Sequence, residues 1–199
     1  MKSALTNLKR GFRRRARAMP PTTTDHMAPG RTLIASVLTK GASLTGPEAE
    51  NAARWIAMEI LSRRQAVSAE LVLSRPDAWH LFGMDLGTLQ EDRIPGLILT
   101  DDREQNRVIL TQQTSSRRLL LSYGNEGQDL TGGRGRIPVL SISPRADGTS
   151  RIPADGAVTS TTHPSPTDCL PLLTRDDAFN LLMSMPTRAD RSQRLMTVG

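Results

Sequence analysis

Lys9, Arg10, Arg13, Arg14, Arg15 and Arg17 crowd into nine consecutive positions near the start of the chain. A guanidinium is a planar fork that bonds phosphate oxygens in pairs, whereas an ammonium acts as a point charge. This spacing therefore suits a string of phosphates. Lys2 belongs to the same segment, and residues 1–24 contain no acid, so they carry +7. The whole chain sums to +6, leaving the other 175 of its 199 residues at −1. The charge distribution is that of a cationic arm on a nearly neutral remainder. Arg makes up almost all of the 26 basic residues; coding bias suffices for those scattered along the body, but less well for the cluster.

The arm also has an apolar pattern. Leu5, Leu8, Phe12, Ala16 and Met19 recur at steps of three and four, the spacing of one helical face. Gly11 weakens such a helix, and Pro20-Pro21 ends it. So short a helix is marginal alone in water and would order on contact with an anionic surface. Three partners fit. Nucleic acid, RNA before DNA, would take the six clustered cations as its contacts. An anionic membrane surface would take Leu5, Leu8, Phe12 and Met19 as the inserting face. An organelle import receptor would read the Arg-rich, acid-poor amphipathic character.

Other residue types that do chemistry are present without the company they need. The sequence lacks a G-x-S-x-G elbow, a P-loop and a complete G-x-G-x-x-G loop. Gly132-Gly133-Arg134-Gly135-Arg136 could cradle an anion with its amides, but reads first as a glycine-rich loop. His26, His80 and His163 are far apart in sequence, and Cys169 is the single cysteine, so no metal set or disulfide is expected. His80, beside Trp79, reads as a surface or core-edge residue. Asp101-Asp102 and Asp176-Asp177 have local work at a turn and at a helix start. The expectation is no catalytic residue, no metal and no cofactor, hence a non-enzymatic protein without a small-molecule substrate. No apolar run reaches the roughly 18 residues of a membrane span, and no secretory leader is expected. The lone cysteine fits an intracellular, reducing compartment, with virion or host cytoplasm if the protein is viral and organelle import left open.

The elements that would position these residues divide the chain into four parts. Residues 1–30 form the arm and a Pro/Thr-rich hinge, 31–143 a core domain, 144–173 a Pro-rich linker or strap, and 174–199 a short helix with a basic tail. Arg31–Thr39 reads as a first strand and residues 40–44 as a polar turn. Thr45 and Glu48 form a capping-box pattern ahead of a helix over residues 47–66, with Ala49, Ala53, Ile56 and Ile60 on its apolar stripe. Residues 68–73 continue that helix or form a short strand, and Ser74 restarts a helix that Gly83 stops. Residues 96–100, 107–112, 117–123 and 137–143 are aliphatic runs separated by polar turns, which predicts an antiparallel meander. Thr174 with Asp177 opens a last helix, closed by Pro186. The expected fold class is α+β, a meander of three to four strands on one long amphipathic helix.

A mobile cationic arm on a compact body is the design of viral coat and nucleocapsid proteins, an analogy of architecture only. The leading expectation is therefore a structural RNA-binding protein, a homo-oligomer joined through the free edge of the meander. The alternative is a matrix-like accessory protein docking on a membrane surface or a host partner through the same arm.

Overall fold

Four of the aliphatic or mixed runs form strands buried on both sides, and burial of that kind is characteristic of parallel rather than antiparallel sheets. The structure, a computed structural model, describes residues 31–63, 68–83, 94–124, 137–143, 150–160 and 169–187. The elements in chain order are α1 (Arg31–Lys40), β1 (Ala42–Thr45), α2 (Ala49–Ser62), β2 (Ala69–Ser74), α3 (Arg75–Phe82), β3 (Leu97–Thr100), α4 (Arg103–Thr111), β4 (Arg117–Tyr123), β5 (Val139–Ile142), β6 (Ser150–Arg151), β7 (Thr159–Ser160) and α5 (Arg175–Ser184). The strands lie in the order β3-β2-β4-β5-β1-β6-β7. The first six of these are parallel throughout, and only β7 runs antiparallel, to β6.

This is an α/β fold, and it overturns the expected α+β meander on one helix. Three of the expected strands exist, at β3, β4 and β5, but they run parallel. The run at 107–112 is not a strand. It is the second half of α4, whose start is set by Asp102: the Asp102 carboxylate accepts the Gln105 amide N–H at 2.9 Å. Asn106 and Leu110, one turn apart, are buried, while Val108 is half exposed. Residues 31–39, expected as a strand, form α1, which buries Ile34, Val37 and Leu38 at i, i+3 and i+4. The expected turn at 40–44 contains β1, a central strand between β5 and β6.

The helices follow from the handedness of parallel crossovers. The connections from β1 to β2 and from β2 to β3 move the same way across the sheet, and carry α2 and α3 on one face. The step from β3 to β4 reverses direction and carries α4 on the other. Alternate strand residues divide accordingly. Leu44, Leu71, Leu73, Leu119, Leu121, Leu140 and Ile142 join α1, α2, α3 and α5 in the main core. Val72, Leu120 and Val139 pack with Leu110 of α4 in a smaller one.

The helix expected over 47–66 is α2, and its stripe is buried as the spacing required, with Ala49, Ala52, Ala53, Ile56 and Ile60 in the core. The Thr45–Glu48 capping box does not form. Thr45 belongs to β1, where its carbonyl accepts the Ile152 amide at 2.7 Å and its Oγ1 donates to Ser150 O at 3.4 Å; Glu48 is the cap position, and its side chain accepts from Asn51 Nδ2 instead of capping a backbone amide. Ser74 and Thr174 do cap α3 and α5, each accepting the amide of the aspartate three residues on at 3.2 Å. The Pro-rich stretch contributes the short β6 and β7 and buries Ile152, Val158 and Leu170 against the core.

Candidate functional site

In open α/β sheets, ligands bind beyond the carboxyl ends of the strands, where neighbouring strands send their connections in opposite directions. Here that point lies between β2, which leads away to β3, and β4, which leads the other way to β5. The side chain standing there is Asp77, in the first turn of α3. Its Oδ2 accepts the Ser74 hydroxyl at 2.8 Å, and its Oδ1 accepts the Tyr123 amide at the end of β4 at 3.4 Å. A phosphate at such a point would normally use the helix N-terminus and free amides. Asp77 already supplies a negative charge to both, so the geometry works against a nucleotide phosphate there.

One step below this edge, a row of hydroxyls crosses the sheet on the α4 face. Thr100 pairs with Ser74, Ser122 with Ser141, and Ser141 with Ser43. Leu73 opposite Leu121 puts Ser74 and Ser122 at the next step of the same ladder. All five are buried. Thr100 donates to Oδ1 of buried Asn106 at 2.6 Å, so α4 anchors one end of the row.

A second polar centre joins the start of α2 to the end of α3. Arg54, 5 % exposed, donates Nε–H to the Leu81 carbonyl at 2.5 Å, Nη1–H to Asn51 Oδ1 at 2.5 Å and Nη2–H to Glu50 Oε2 at 2.7 Å. Burial lowers its pKa from the ordinary arginine value, and Glu50 pulls it back up. Glu50 Oε1 meets His80 Nε2 at 3.2 Å, and the His80 ring lies 4.0 Å from that of Tyr123. Arg175 donates to the Trp79 carbonyl at 2.8 Å. Thus Arg54 satisfies the Leu81 carbonyl, one of those a helix end leaves unpaired, while Arg175 adds a second bond to the Trp79 carbonyl, which also accepts the Gly83 amide at 2.9 Å. This centre holds helices together, and among the described residues no three metal-ligating side chains cluster.

Beside it lies an open groove between α3 and α5. It encloses about 390 Å³ and is lined by Trp79, Phe82, Gly83, Arg175, Asp176 and Phe179. The chain has six aromatic residues, two Trp, one Tyr and three Phe, so half of them line this groove. Gly83 lies beneath it at φ +72°, in the left-handed region that favours glycine.

The candidate binding residues Lys9, Arg10, Arg13, Arg14, Arg15 and Arg17, and the candidate inserting face of Leu5, Leu8, Phe12 and Met19, lie outside the described residues. Sequence reasoning missed the burial of Arg54, whose one local signal was the i, i+4 spacing from Glu50. It also missed the groove, because Trp79 and Phe179 are about a hundred residues apart. Among the described residues no helix is long and apolar enough to cross a membrane. In comparison with known proteins, the chain matches no family model, no curated protein and no solved structure.

Proposed function

We propose that the protein binds RNA through its N-terminal arm, with Lys9, Arg10, Arg13, Arg14, Arg15 and Arg17 on phosphates, and that the α/β body carries this arm without contributing catalysis. One observation supports the reading above others: five of the ten arginines among the described residues pair with the body's own carboxylates. Arg54 pairs with Glu50, Arg63 with Glu59, Arg75 with Asp101, Arg107 with Glu104 and Arg118 with Glu70, at 2.5 to 3.6 Å. The described residues hold equal numbers of acidic and basic side chains. The surplus charge of the chain is therefore that of residues 1–24, and a polyanion attracted by long-range charge is attracted there. A binding role is further favoured because the polar groups at the carboxyl edge of the sheet are engaged in closing helix ends.

Phosphate contacts of this kind position a chain on nucleic acid and carry no base specificity. Filter binding to single-stranded RNA tests the proposal. Replacing Arg10, Arg13, Arg14, Arg15 and Arg17 by Gln abolishes binding, whereas Arg63→Gln with Arg107→Gln in the body leaves it unchanged. Equal loss from both sets, or none from the first, overturns it. Flotation with anionic vesicles is the control: retention on lipid by a variant with Leu5, Leu8, Phe12 and Met19 intact, with no RNA binding, identifies a membrane arm instead.

A further inference from the structure

The groove between α3 and α5 is aromatic inside and acidic at its rim. Trp79 is 56 % exposed and Phe179 37 %. Asp176 lines the groove, exposed Asp177 follows it in the first turn of α5, and Glu50 stands nearby on α2. Arg54 is paired with Glu50 beneath the surface, and Arg175, which lines the groove and donates to the Trp79 carbonyl, is one cation beside the two aspartates. A phosphate chain meets the exposed carboxylates of Asp176 and Asp177 here. A segment with an apolar face flanked by cations meets complementary chemistry on both counts.

The chain itself contains such a segment: Leu5, Leu8, Phe12, Ala16 and Met19, interleaved with Lys9, Arg10, Arg13, Arg14, Arg15 and Arg17. It is also near enough. Gly41, at the end of α1, abuts Val139 at the amino end of β5, so α1 runs from the carboxyl side of the sheet toward its amino side. The groove lies on the carboxyl side, next to His80 and Tyr123. Residues 20–30 can span roughly 35 Å at full extension. The strands beneath α1, β4 and β5, lie only about 5 to 10 Å from β2 beneath α3.

We infer that residues 5–19 dock into the α3–α5 groove of their own chain, with the apolar face on Trp79, Phe82 and Phe179 and the arginines over Asp176 and Asp177. Tethering holds the segment at an effective concentration on the order of millimolar, so even a weak contact is populated. This docking stands on the pattern of the segment and the chemistry of the groove, and does not require that the arm bind RNA. If it does, groove and RNA compete for the same cations.

Photo-cross-linking in the full chain, treated with nuclease, tests the docking. A benzophenone amino acid replaces Phe12, and the cross-linked peptides are mapped by mass spectrometry. Cross-links fall within residues 75–83 and 175–187, with a yield that does not change on dilution. Asp176→Lys, an exposed change in a first helical turn, lowers that yield several-fold, and so does the double variant Trp79→Ser, Phe179→Ser. Cross-links to other parts of the chain overturn the inference. So does a yield that rises with concentration, which would place the arm on a second copy, or one that neither variant alters.

Discussion

The guanidinium of Arg54 reaches across from α2 to the carbonyl of Leu81 at the end of α3, with its Nε 2.5 Å from that oxygen. Desolvation of the charge is unfavourable, as the lowered pKa records, and the bonds to Leu81, Asn51 and Glu50 offset it. Breaking such an arrangement from one side leaves a buried carbonyl without a donor. Arg54→Met is therefore expected to destabilise the fold by about 2–3 kcal/mol in denaturant titration. Arg54→Lys recovers little, because one ammonium cannot reproduce three directed N–H groups. The arginine stays charged at every pH an assay would use, so the loss of its bond to the Leu81 carbonyl does not depend on pH. A Met variant as stable as the parent would mean that α3 is held by other contacts.

The buried pair of Thr100 and Asn106 should behave as a unit. Thr100→Val keeps the shape but removes the donor to Asn106 Oδ1, at a cost of about 1–3 kcal/mol. Adding Asn106→Leu removes the stranded acceptor and restores part of the loss, which a double-mutant cycle in urea measures. Strict additivity of the two changes would contradict a direct bond.

Gly41 joins α1 to the central strand with φ +74°, and a Cβ there would stand 2.5 Å from the Val139 carbonyl oxygen. Backbone meets backbone, so no side chain can yield. Gly41→Ala is expected to cost more than about 1 kcal/mol, beyond the strain of the left-handed region alone. Thermal unfolding of the purified variant reads this, and an unchanged midpoint would place α1 differently against β5.

How far the sequence disclosed this fold depends on the element. The α2 stripe and the caps at Ser74 and Thr174 were legible because each is a local pattern with a local cause. The direction of the strands was not. Residues 117–123 and 139–142 are nearly continuous apolar runs, the mark of strands covered on both faces, yet the polar stretches between runs read equally well as hairpin turns. One of those stretches was the capped first turn of α4, and cutting the segment at Arg107 hid its helical period. In α1, β-branched residues suggested a strand, although Ile34, Val37 and Leu38 already kept helical spacing. β1, with Ser43 and Thr45 among four residues, offers only Ala42 and Leu44 as apolar signal, too short a run to read as a central strand. The candidate centres at the carboxyl edge were illegible for the same reason. Asp77 and Tyr123, or Trp79 and Phe179, meet only once the order of the strands is known.

The salt dependence of RNA binding examines the arm most closely. With six phosphate contacts on a single strand, log K falls with log salt at a slope near −4, from roughly 0.7 per contact. Each Arg→Gln change among residues 10–17 lessens that slope by about 0.7, while Arg63→Gln and Arg107→Gln leave it unaltered. A slope near zero in the full chain, or one set by the arginines of the body, would contradict the proposed role of the arm.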